Sequence, residues 1–172
     1  PEIFQPDKIY MAILEDLAYD IKDLFEAIKA RRSGAEAPTE TGCVYLAQTT
    51  SDLSIERDKI RRELKHRKYR ILPEQELPGD AQELQEVIRR DLKCSKLSIH
   101  FMGSLYGVIP EGETRSIGHL QNILAAERSI DPDFARLIWM PAGLEPREVR
   151  QKEYIQQLQN DQEAIKGAEL LQ

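Results

Sequence analysis

The chain has 172 residues, 41% hydrophobic and 31% charged, enough for one domain with a proper core. Its net charge of −6 argues against a general nucleic-acid or membrane-surface binder, and no apolar run approaches the ~18 residues of a membrane span. No secretory signal is present, and Cys43 and Cys94 have neither metal nor redox spacing, so two reduced thiols in a cytoplasmic protein are expected.

The first residue is Pro1 and not Met, so the chain is expected to be a piece of something longer. Residues 7–29 predict one strong helix, with a wide stripe of apolar residues at helical spacing. A narrower seam within it (Tyr10, Leu14, Leu17, Ile21, Leu24, Ile28) alternates steps of four and three. Packing on its own sheet and pairing with a second copy both fit this pattern. The N-terminal helix is assigned to residues 1–32 and a linker of small residues, Gly and Pro to residues 33–42. The remaining residues, 43–172, form the α/β domain.

That domain is organised around residues 44–80. VYLA suits a buried strand, TTSD a polar bend with Ser51 or Asp52 as N-cap, and a long helical pattern follows. Its acids come early and its bases late, which suits the helix dipole. The bases between residues 57 and 70 read as a solvated helix face, because acids interrupt them and no aromatic residue is interleaved before Tyr69. A second strand over 69–72 ends in a loop carrying Pro78-Gly79. Strand, helix, strand is the βαβ unit of a parallel sheet.

A second amphipathic helix spans 81–93, and a third strand spans 97–102. His100 lies inside that strand and reads as a satisfied core imidazole. The 13 residues 103–115 form a loop long enough to be functional. Ser116 caps a helix to about residue 128, a fourth strand covers 137–140, a further helix 148–161, and a short fifth strand 168–171. The predicted fold is a three-layer, flavodoxin-like doubly wound parallel sheet in the order 2-1-3-4-5. Its ligand edge would be built from Gln48, Thr49 and Thr50, the 74–80 loop and the 103–115 loop.

Several familiar sites are missing from that edge. No Gly-rich dinucleotide turn or phosphate-cradling loop follows the first strand. The Asp a phospho-acceptor receiver needs at the end of the third strand is absent, no serine sits in a nucleophile elbow, and the histidines have no metal-ligand spacing with the cysteines.

Residues 44–124 resemble a Toll/interleukin-1 receptor (TIR) domain of the bacterial type. VYLAQTTSD is similar to the first box, with Asp52 as its acid. RILPEQELPGD is similar to the second, with its Pro78-Gly79 pair. RRDLKCSKLSIHFMGSLYG resembles the helix, third strand and Ser-x-Tyr (Ser104, Tyr106) that follow, SIGHLQNILAAERS the third helix, and LIWMP the fourth strand. The resemblance implies a signalling or antiphage-defence module that self-associates with its own kind and other TIR domains, fused to an effector or sensor domain. It needs no resident cofactor, with NAD as substrate or ligand, and no nucleic acid or membrane as partner.

It further implies Gln48, Thr49, Thr50, Pro78, Gly79, Ser104 and Tyr106 as nucleotide contacts. Glu74, Glu76, Leu77, Pro78, Gly79 and Asp80 form the implied interaction loop. NAD-hydrolysing members place a Glu on the third helix, in a Glu-Leu pair, where it stabilises an oxocarbenium-like ribose. Here the matching pair is read as Ile123-Leu124, and Glu127, at i+4 from Ile123, is the substitute candidate for catalysis. A binding and self-association module is therefore the first expectation and an NAD glycohydrolase the alternative. A nucleoside deoxyribosyltransferase-like enzyme ranks third, since Gln48-Thr49-Thr50 stands where that family has a Gly-Pro-type turn.

Overall fold

The computed structural model describes residues 42–160 and 168–171. The predicted N-terminal helix and all of the predicted linker but Gly42 lie outside these. Five strands alternate with four helices among the described residues: β1 (Cys43–Leu46), a 3-10 turn (Ser51–Leu53), α1 (Ser54–His66), β2 (Arg70–Leu72), α2 (Ala81–Cys94), β3 (Leu97–Phe101), α3 (Ile117–Arg128), β4 (Ala135–Trp139), α4 (Val149–Asn160) and β5 (Ala168–Leu171). All five strands are parallel and lie in the order β2-β1-β3-β4-β5, the doubly wound arrangement expected. None of the described helices is long and apolar enough to cross a membrane.

The two-residue period of the strands sorts the core into two faces. Val44, Leu46, Leu97, Ile99, Phe101, Leu137 and Trp139 pack against Ile60 and Leu64 of α1. Tyr45 and Ala47 face Leu84, Ile88 and Leu92 of α2 and Leu120 and Leu124 of α3. Ile138 meets Tyr154, Ile155 and Leu158 of α4 on that same side. Leu84, Ile88 and Leu92 are 0–1% exposed, so each contributes about 1.5–3 kcal/mol by burial.

Two expectations shift. β4 begins at Ala135, two residues before the expected start, because Ala135 and Arg136 pair with Leu97 and Ser98. The charge of Arg136 hides that start in the sequence, yet Arg136 is only 1% exposed and donates from Nη1 to the backbone and side-chain oxygens of Asn122 (3.2 and 3.1 Å). Asp52 and Ser51 do not cap α1. They form the 3-10 turn, and α1 starts at Ser54 with no side-chain cap from Leu53. α2 does carry such a cap, as Asp80 Oδ1 accepts from the N–H groups of Gln82 and Glu83.

The 103–115 loop is held along its length. Glu111 forms a parallel bridge with Asp80, its N–H donating to Gly79 O and its carbonyl accepting from Ala81 N. Ile117 N–H donates to Val108 O. At its start, Gln151 Nε2 of α4 donates to Gly103 O (2.7 Å) and Arg147 N–H to Ser104 O (2.8 Å).

Candidate functional site

Where the chain leaves β1 for β2 and later returns to β3, the connections at the strand tips part, and an open α/β sheet has its ligand crevice there. The walls of that crevice are set by one carboxylate. Asp52 Oδ2 accepts from the Ser104 N–H (2.7 Å) and the Ser104 hydroxyl (2.9 Å), and Oδ1 accepts from the Thr50 hydroxyl. Burial pushes the Asp52 carboxyl up, but these hydrogen bonds outweigh it and hold it below the usual carboxylate range. The carboxylate occupies the space a Cβ on residue 103 would need, which is why Gly103 sits there. The bend after β1 and the bend after β3 are thus locked together.

Beside this clamp opens a cleft of about 510 Å³. Its floor and near wall come from residues 48–51 and from Phe101 and Met102. The far wall comes from Leu105 to Val108, the first turn of α3, and Glu148, Gln151 and Tyr154 of the α4 end. An aromatic series lines one side. The Tyr106 hydroxyl lies 3.3 Å from His119 Nδ1, and the His119 ring stacks on Tyr154 with centroids 3.8 Å apart. The Tyr154 hydroxyl accepts from Asn122 (2.8 Å), which in turn holds Arg136, so the wall is anchored to β4. Gln121 ties α3 to the end of β1: its Oε1 accepts from the Tyr45 hydroxyl and Gln48 N–H, and its Nε2 donates to Gln48 O.

Burial, with Arg115 nearby, holds His119 down at about pKa 4, so its imidazole is neutral at pH 7. His100 is held lower still, at about 3, by burial and then by Arg136. Its Nε2 lies 3.1 Å from Ser98 Oγ, while Nδ1 has no hydrogen-bond partner. It is the buried core imidazole expected, but only half satisfied. Tyr106 meets Glu148 as well, since its N–H donates to Oε1 (3.0 Å).

The expected site residues divide. Gln48, Thr49, Thr50 and Tyr106 line the cleft together. Ser104 does not; both its donors are spent on Asp52. Pro78 and Gly79 stand apart from it as well. Pro78 lines a separate hollow of about 640 Å³ with Glu74 and Glu76 along β2, and Gly79 meets Glu111 through the backbone. In the implied interaction loop Glu74 pairs with Arg70, Leu77 packs on the α2 side of the core and Asp80 caps α2.

Glu127 is placed away from the cleft, on the exposed side of α3, where it pairs with Arg89 of α2. The reason is register. The α3 residues that line the cleft are Ile117, Gly118 and His119, and Glu127, eight residues past His119, lies about 12 Å further along the axis. Ile123 lines no part of the cleft either. His119 stands in the first turn after the Ser116 cap, whose hydroxyl accepts from His119 N–H. Glu148, Gln151 and Tyr154 went unread because they lie just before and within the last helix, far along the chain from the boxes. The signal for them was the order of the sheet, which returns the start of α4 to this edge.

Chemically, the cleft offers a neutral imidazole, a phenol, amide and hydroxyl groups at the end of β1, and one carboxylate, Glu148. Among the described residues no group of three or more His, Cys, Asp or Glu is placed to hold a metal ion. No protein-family model matches the chain, and neither a curated protein nor a solved structure does.

Proposed function

We propose that this chain is a TIR-like signalling or defence module that self-associates through the 74–80 loop and binds an NAD-type nucleotide in the β1/β3 cleft without hydrolysing it. The observation that carries the reading is the makeup of the cleft. It lies at the switch point of the sheet, where ligands bind in this fold, and α3 presents His119 there and no carboxylate. A neutral imidazole can hydrogen-bond a ribose hydroxyl or a carboxamide. It supplies no negative charge to an oxocarbenium-like ribose. Glu127 is tied to Arg89 and does not line the cleft.

Calorimetric titration of NAD into the chain, paired with chromatography of the same mixture, tests the reading. The expected result is one saturable site and no nicotinamide released above the spontaneous background. Protein-dependent nicotinamide release would put the glycohydrolase in its place, and absence of a saturable site would remove nucleotide binding.

The self-association half has its own test. Pro78 is half-buried beside Glu74 and Glu76 at the rim of the sheet, so its ring shapes the loop surface. Pro78→His is expected to shift sedimentation toward the monomer while leaving the circular dichroism spectrum unchanged. An unaltered sedimentation profile would exclude the loop from the contact.

A further inference from the structure

We infer that the cleft selects a positively charged planar ring carried on a ribose, and that Glu148 is the residue that reads the charge; this rests on the nucleotide reading above. Among the described residues Glu148 is the one formally charged side chain lining the cleft. Its Oε1 is engaged by the Tyr106 N–H, which fixes the carboxylate at the end of the aromatic wall. Tyr106, His119 and Tyr154 make that wall a set of π faces and edges. A flat cation gains there from both the rings and the carboxylate.

Phosphate is poorly served by the same walls. No Lys or Arg lines the cleft among the described residues. Arg115, whose charge is felt at His119, is paired two-fold with Glu113 (3.2 and 2.8 Å). In the adjoining hollow that shares Gln48 and Thr49, Arg57 donates to the carbonyls of Ala47 and Leu46, and Arg61 lines that hollow and not the cleft. The start of α3 offers little more. The Ile117 N–H is bound to Val108 O and the His119 N–H to Ser116 Oγ, so two of the usual anion-holding donors of the helix start are already used and the Gly118 N–H is the one left at the cleft. The ring and ribose therefore sit inside, and the phosphates point out of the cleft.

The test titrates the full chain with nicotinamide riboside, which is cationic and has no phosphate, and with its reduced, neutral form. NAD and NADH are run beside them. The oxidised riboside is expected to bind about fivefold or more tighter than the reduced one, the worth of a partly exposed cation–π and carboxylate contact. NAD should bind within about twofold of the riboside, with little salt dependence, since phosphates add few contacts.

Glu148→Gln keeps an oxygen to accept the Tyr106 N–H and removes only the charge. It should bring the oxidised-to-reduced ratio close to one. A reduced form that binds as tightly as the oxidised one, or a ratio untouched by Glu148→Gln, would overturn the inference. If NAD binds without preferring its oxidised form, charge selection fails and the nucleotide reading stands. If the oxidised riboside is preferred but NAD does not bind, charge selection holds and the dinucleotide reading fails. Failure of every ligand to bind overturns both.

Discussion

Replacing Gly103 with alanine will cost the fold about 2–3 kcal/mol, because the new methyl and the Asp52 carboxylate cannot share one place. For the alanine to fit, Asp52 must swing away and abandon the Ser104 N–H and hydroxyl. Hydrogen bonds to an ionised group are the more valuable kind, and the Ser104 N–H would then be without its acceptor. Chemical unfolding of the four chains of a double-mutant cycle gives the decisive comparison. In an Asp52→Ala background the clash is gone, so Gly103→Ala should cost under about 0.5 kcal/mol there. Equal costs in both backgrounds would mean that the glycine answers to something other than Asp52. The clamp also positions the loop that carries Tyr106, so Gly103→Ala should weaken ligand binding even at temperatures where the chain stays folded.

Acid is the second large lever. His100 and His119 both have folded pKa values below the ordinary 6.5 of a free imidazole, at about 3 and about 4. Below pH 6.5 the unfolded chain therefore takes up protons that the folded chain refuses. Stability is full above that point and falls as the pH drops toward the folded values. Between pH 6.5 and about 5 the buried His100 should remove about 1–2 kcal/mol, and His119, screened by solvent on one side, a smaller amount in the same direction. Asp52 acts lower down. Its folded pKa is depressed, so its contribution is present above the normal carboxylate range and is lost only as the pH falls through the folded value. Urea unfolding at neutral pH and at about pH 5 measures the loss, and His100→Gln should abolish the larger part of it. A flat profile over that window would show that the histidines are not buried in their neutral form.

The sheet could be read from the chain because its signals are local. VYLA, RIL and LSIHF are short apolar runs, and the helices between them have clear stripes, so the order 2-1-3-4-5 follows from the alternation alone. The start of β4 escaped because a strand position held by Arg136 looks polar until Asn122 is seen beneath it. The role of Asp52 escaped for a related reason. An acid ahead of a helix reads as a cap, and only the fold brings Ser104, 52 residues on, within reach.

The cleft was half legible. Gln48, Thr49, Thr50 and Tyr106 follow strand ends, and a doubly wound sheet gathers strand ends at one edge. The other half hangs on helical phase. A shift of four residues along α3 separates Ile123 from His119, and periodicity alone does not say which turn of a helix stands over the crevice. Glu127 was drawn toward the site by that phase, and its ion pair with Arg89 shows the face it occupies. Glu148 could be found only by knowing that α4 begins above the same edge.

The most direct test of the central claim, that a nucleotide occupies the β1/β3 cleft, is an NMR titration of the isotope-labelled chain with NAD. The ring signals of Tyr106, His119 and Tyr154 are predicted to shift together along one saturation curve, with the backbone amides of Gln48 and Thr49 following it and that of Glu127 unmoved. Shifts confined to the 74–80 loop or to the α2/α3 surface around Arg89 and Glu127, with the three rings silent, would contradict it.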